Sequence, residues 1–265
     1  MFAPSPKNKI LHRMGYIHDQ EGILKRYFRE TVGWEQHLRN SSEFILKCLK
    51  NKNVKELVIL GSGWLLDFPL EKLSVEIEHI KLVDIFHPVQ IQKKVKNYPG
   101  VECISADITG GNIEKFYNQV QICKKLNIPF TIPGHICSPE GIFPENSFVI
   151  SLNILNQLDI LVIDYLKRKI PLSENTIRQI RERLQKDHME LLKTVPCILI
   201  TDYEELLINR DGEPGKIKNL LYTELLPSNY TEDWSWHFDE QGLYNPGGRT
   251  ILKVRAICSE SPEIQ

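Results

Sequence analysis

The chain has 265 residues, of which 42% are hydrophobic and 25% charged, the balance of an ordinary globular protein. Lys and Arg number 33 against 34 Asp and Glu, and a net charge of −1 gives no electrostatic case for nucleic acid or an anionic membrane. No apolar stretch reaches the ~18 residues of a membrane span. The N-terminus MFAPSPKNKILHRM has no signal-peptide core, and the six scattered cysteines form no CxxC pair. These features predict a cytoplasmic protein with reduced thiols and no metal site.

Residues 1–20 read as an irregular arm. From 22 to 50, Leu24, Phe28, Trp34, Leu38, Ile45 and Leu49 recur at helical spacing. Gly33 and the 40–42 cluster divide this stretch into two or three helices, with Asn40 as a cap. Tyr16, His18 and Asp19 at its start read as exposed polar residues.

The chain is organised around KELVILGSGWLLD, residues 55–67. Leu57–Leu60 is a continuous apolar run, which suits a strand buried on both faces of a parallel sheet. Gly61-Ser62-Gly63 then turns the backbone and lets a ligand approach main-chain N–H groups. A helix can begin at Trp64. HIKLVDI, residues 79–85, is a second strand, and its Asp84 falls about 20 residues beyond Gly63, the spacing at which an acid meets ribose hydroxyls. A dinucleotide fingerprint needs a third glycine at position 66, which is Leu66. NAD and FAD are therefore disfavoured.

Pro88 opens the next helix, residues 101–106 form a third strand leading to Asp107, and residues 112–126 form a helix with Ile113, Phe116, Val120 and Cys123 inward. The proline-rich stretch 127–146 reads as a long functional loop holding His135 and Cys137. A fourth strand at 147–152 ends at Asn153, which either caps a helix over 154–169 or faces a ligand at the carboxyl end of the sheet. Ser173 caps a long helix on whose apolar stripe His188 reads as a core histidine. PCILIT, residues 196–201, is the fifth strand. It is followed by a charged connection through 211–215 and a candidate sixth strand at 220–226. Trp234, Trp236 and Phe238 alternate at period two before the Asn245-Pro246-Gly247-Gly248 turn, and residues 250–257 alternate again, an antiparallel hairpin. The three aromatics either stack on a substrate or bury against a helix.

A GxG turn, an acid on the following strand, a third strand leading to Asp107 and a closing hairpin together resemble the class I S-adenosylmethionine-dependent methyltransferases. The resemblance covers about residues 55–258. It implies a doubly wound, mostly parallel seven-stranded sheet, a helical extension or lid over 1–52, and an α/β domain over 53–265. It also implies S-adenosylmethionine as cofactor, held by Gly61, Ser62, Gly63, Asp84, Ile85, Asp107, Ile108 and Asn153. Within it, Asp84 meets the ribose, Asp107 the adenine amine, and the 127–146 loop with the helices of 16–50 covers the site. The expected acceptor is a small molecule, and no catalytic nucleophile is assigned. One departure stands out: the family often carries an acid two residues before the first glycine, where this chain has Ile59, so Asp67 or another residue must substitute. A degenerate, non-catalytic nucleoside-binding or interaction module is the alternative reading.

Overall fold

The computed structural model describes residues 6–134, 143–144, 146–228 and 230–260. His135 and Cys137 lie outside them. Two helices precede the organising strand where an arm was expected, α1 (Pro6–Met14) and α2 (Tyr16–Arg29), followed by α3 (Thr31–Leu49). The break falls at Glu30. Gly33 sits inside α3, because a Cβ there would meet the His237 carbonyl oxygen at 2.5 Å. It is a point of close approach, and Asn40 lies within the helix instead of capping one.

The sheet contains β1 (Glu56–Leu60), β2 (His79–Asp84), β3 (Val101–Ser105), β4 (Phe148–Leu152), β5 (Cys197–Asn209), β6 (Pro214–Asn219), β7 (Tyr230–Asp239) and β8 (Gly248–Ser259). Its order is β3-β2-β1-β4-β5-β8-β7, with β6 paired to β5. The first five strands run parallel, while β8 is antiparallel to β5 and β7 to β8. This is the doubly wound sheet with a closing hairpin, enlarged by an eighth strand. The extra strand exists because β5 outruns β4. Cys197–Ile200 pair with β4, and the exposed edge beyond, Glu204–Ile208, is taken by β6. The stretch 220–226 is not a strand. Every side chain of β6 is exposed, so no inward-outward alternation marks it in the sequence.

Parallel crossovers are made by α4 (Leu70–Glu76), α5 (Val89–Val95), α6 (Asn112–Leu126), and the pair α7 (Ile160–Lys169) and α8 (Glu174–Leu192). Pro88 stands just outside α5, as its N-cap. Ser173 caps α8 through a bond from Thr176 N to its Oγ at 3.1 Å. Residues 155–157 form a 3-10 turn ahead of α7. Strand side chains alternate between two cores: Val58, Leu60, Val83 and Val149 face α1, α6, α7 and α8, whereas Leu57, Ile59, Leu82 and Ile150 face α3, α4 and α5. Because α1 joins one core and α3 the other, α2 spans from one face of the sheet to the other. Trp236 and Phe238 settle into the second core against Trp34, with ring centroids 4.8 and 5.7 Å away. His188 is buried, its Nε2 2.8 Å from Ser151 Oγ.

Candidate active site

The order reverses between β1 and β4, which opens a crevice at their carboxyl ends. A cavity of about 270 Å³ lies there, and Gly61, Ser62, Gly63, Asp84, Ile85, Asp107, Ile108 and Asn153 all line it. Residues far apart in the chain converge because each ends a parallel strand or lies in the turn after it.

The glycine turn needs its glycines. Gly61 has φ +80°, and a Cβ there would stand 2.7 Å from the Leu152 carbonyl oxygen; Gly63 has φ +44°. No helix follows directly. The chain passes through Leu65, itself at φ +55°, and α4 starts only at Leu70. The amide-rich helix start that holds a pyrophosphate is therefore missing at this turn. Ser62 turns its hydroxyl to His87 Nε2, 3.1 Å away.

Asp84 is 5% exposed, not the solvated strand tip that its position alone suggests. Its Oδ2 accepts from Gly63 N at 2.8 Å and its Oδ1 from Ile85 N at 2.7 Å, with Gln20 Nε2 at 3.4 Å. Burial nevertheless pushes its carboxyl up to about 6, against the lowering effect of those amides. Asp107 is engaged locally. It accepts from Thr109 N and Oγ1 and from Ile113 N, organising the turn that begins α6.

Asn153, at φ +49°, places its carboxamide 2.6 Å from Asp67 Oδ2 and 3.2 Å from His37 Nε2. Desolvation raises the Asp67 carboxyl to about 6 and lowers His37 to about 3, so the imidazole stays neutral. An indole N–H can only donate, hence Trp234 Nε1 donates to His37 Nδ1, at 3.0 Å. His37 also stacks on Trp236, 3.9 Å between centroids and 4° from parallel.

The roof comes from α2, through Tyr16, Asp19, Gln20, Ile23 and Arg26. Tyr16 is buried, in contrast to the exposed role expected of it, whereas His18 and Asp19 are exposed and Asp19 also lines the cavity. None of the described residues of the 127–146 loop lines the cavity. Beyond β4 the wall continues through Asn156, Asp202, Glu205, Lys218, Trp236, Phe238 and Tyr244. Of these, Asp202 was readable by the rule that singled out Asp84, since in sequence it follows the apolar run PCILIT, although β5 itself continues to Asn209. The charged lining is lopsided: among the described residues Asp19, Asp67, Asp84, Asp107, Asp202 and Glu205 face only Arg26 and Lys218. Several buried acceptor atoms there have no protein partner among the described residues, including Gln20 Oε1, Asn153 Oδ1, Asn156 Oδ1 and Asp202 Oδ1, as does the Tyr16 hydroxyl. No cluster of His, Cys, Asp or Glu among the described residues has metal-binding geometry.

No family model matches the sequence, and no curated protein matches it. Among solved structures the chain is similar to the 23S rRNA methyltransferase ErmE, at 11% identity over 87% of this chain and 70% of that one, with a TM-score of 0.36. It is similar also to the N-methyltransferase NodS from Bradyrhizobium japonicum WM9, solved with S-adenosyl-L-homocysteine, at 11% identity over 84% and 87% and a TM-score of 0.36. A third is the DhpI complex with SAH, at 10% identity over 96% and 98%, again at 0.36. Such likeness bears on neither activity nor substrate. What the chain's own geometry establishes is an acid-lined, partly apolar cavity at the switch point of a doubly wound sheet, roofed by α2.

Proposed function

We propose that this cavity binds S-adenosylmethionine and that the protein transfers its methyl group to a small-molecule acceptor. The observation that carries the reading is Asp84, a buried carboxylate that is bonded to the amide of Gly63 and also lines the cavity at the switch point. The cavity suits this ligand chemically. Unpartnered acceptor atoms and six acids fit a cation rich in donors, and the absence of a helix start after the glycine turn disfavours a pyrophosphate.

In this reading the second lone pair of Asp84 Oδ2 and the outer face of Oδ1 accept the ribose hydroxyls. Gly61 and Gly63 allow the amino-acid moiety close to the main chain, while Ile85 and Ile108 flank the base. Asp107 reaches the adenine side only at the edge of the turn it organises. Asp67, with Asn153, supplies the negative charge that Ile59 does not, and receives the methionine ammonium. The bound donor supplies an already activated methyl group, so the protein needs no nucleophile of its own. Its work is orientation and exclusion of water, and α2 with the 1–52 extension acts as the lid of the 53–265 domain.

Calorimetric titration with S-adenosylmethionine, S-adenosylhomocysteine, NAD and ATP tests the proposal. Saturable binding of the first two alone is expected. Preference for NAD or ATP would replace it with a different nucleotide site.

A further inference from the structure

The cavity end beneath the β5 extension has chemistry of its own. Asp202 is 4% exposed, and its Oδ2 accepts from Asn156 Nδ2 at 2.5 Å. The other oxygen, Asp202 Oδ1, has no partner among the described residues, and neither has Asn156 Oδ1. An unmet buried acceptor costs about 1–3 kcal/mol, and more when it is charged, so two side by side call for a ligand that donates. The nearby cations do not answer. Lys218 Nζ is drawn to Glu205 Oε2 at 3.6 Å, and Arg26 spreads its guanidinium over the rings of Phe238 and Tyr244, 4.7 and 5.3 Å from their centroids. Trp236 and Phe238, set edge to face at 5.0 Å, add an aromatic wall.

Building on the methyl-transfer reading above, we propose that the acceptor is a small amine whose ammonium docks on Asp202 and Asn156 beside the aromatic wall. An ammonium brings three donors and a positive charge to set against the Asp202 carboxylate. A hydroxyl brings one donor and no charge, and a carboxylate or phosphate would set acceptors against acceptors. The docked group must lose a proton before it can react, and Asp202 is the base within reach. Burial raises its carboxyl to about 6, so it can take and then release a proton near neutrality. The ammonium gives one proton to Asp202. The freed lone pair of the nitrogen forms the N–C bond to the sulfonium methyl as the C–S bond breaks, its electron pair staying on sulfur. An N-methylammonium and a thioether result, and Asp202 returns its proton to water.

The test uses the full chain saturated with S-adenosylhomocysteine, into which phenethylamine, 2-phenylethanol and 3-phenylpropanoate are titrated separately. The amine is expected to bind at least tenfold more tightly than the alcohol, and the carboxylate least. Asp202→Asn is expected to reduce amine affinity tenfold or more while the dissociation constant of S-adenosylhomocysteine stays within twofold. Asn156→Ala provides the same comparison if Asp202→Asn does not fold. With S-adenosylmethionine present, mass spectrometry is expected to find the N-methylated amine. Equal binding of amine and alcohol, no binding of the amine, or unchanged amine affinity in the folded variant would overturn this inference alone. Failure of S-adenosylhomocysteine itself to bind would overturn the methyl-transfer reading and this inference with it.

Discussion

Replacing Asp84 with asparagine separates the stability role of this carboxylate from its binding role. In the folded protein burial holds the carboxyl at about 6 against an ordinary 3.8. That difference of about two pH units, at 1.36 kcal/mol per unit, is worth about 3 kcal/mol. The sign follows from linkage. Below pH ~4 the group is protonated in both states and its contribution to stability is fully present. As pH rises from about 4 to 6 the unfolded chain gives up the proton first, so stability is lost, and above about 6 the loss is complete. The carboxamide of the variant does not titrate. It can still offer an oxygen to Gly63 N, but its amide would face the donor of Ile85, at a cost of about 1–3 kcal/mol. Asp84→Asn is therefore expected to be less stable than wild type at pH 4.5 and level with it or more stable at pH 7.5. Denaturant midpoints of both proteins across this range measure the difference, which should change by about 2 kcal/mol, the first ~1 kcal/mol of the loss falling below pH 4.5. At pH 7.5 the same variant should bind S-adenosylhomocysteine at least tenfold more weakly, since a hydrogen bond to a charged acceptor contributes about 1.5–3 kcal/mol. Parallel pH profiles for the two proteins would refute a carboxylate whose burial outweighs its amide hydrogen bonds, and an unaltered dissociation constant would end its assignment to the ribose.

Gly61→Ala should destabilise by about 2–4 kcal/mol in chemical denaturation, because φ +80° costs an L-residue about 1–2 kcal/mol and its Cβ meets the Leu152 carbonyl. Gly212→Ala has φ +88° but open space around it, so it should show only the backbone part, and equal losses at both sites would contradict the close approach. His188→Leu should cost about 1–3 kcal/mol by stranding Ser151 Oγ, with donor affinity unchanged; a loss of affinity would move this histidine from the core to the site. Amide exchange in α2 should slow when S-adenosylhomocysteine is added, whereas residues 127–134 should be unaffected.

How much of this was readable follows from where local pattern and tertiary burial agree. Leu57–Leu60 and Phe148–Leu152 are buried throughout, and continuous apolar runs announce such strands. The closing hairpin declares itself because one face of β7 packs on Trp34 while the other meets solvent, which imposes the alternation of Trp234, Trp236 and Phe238. The same logic explains what was hidden. The distal half of β5 and all of β6 lie at the rim of the sheet, where burial no longer selects apolar residues, so YEELLIN and PGKIKN read as a charged connection. Gly33 looks like a helix breaker in sequence, and only the approach of β7 explains its place inside α3. Half of the cavity was readable because Gly61, Gly63, Asp84 and Asn153 stand at strand ends. The resemblance put the helices of 16–50 over the site, but which of their residues reach it was not readable, since Tyr16, Arg26 and His37 come from helices whose orientation depends on packing against both faces of the sheet. Asp84 shows the remaining gap: spacing places it at the site, but only the structure reveals that it also ties down the glycine turn.

The central claim is that one acid-lined cavity holds an adenosyl sulfonium with its ribose on Asp84. The most direct measurement is a crystal structure of the full chain with S-adenosylhomocysteine. The ribose hydroxyls are expected within hydrogen-bonding distance of the Asp84 carboxylate, the amino-acid end over Gly61 and Gly63 beside Asp67, and the sulfur facing Asp202. A ligand bound outside this cavity, or inside it with its ribose away from Asp84, would contradict the account.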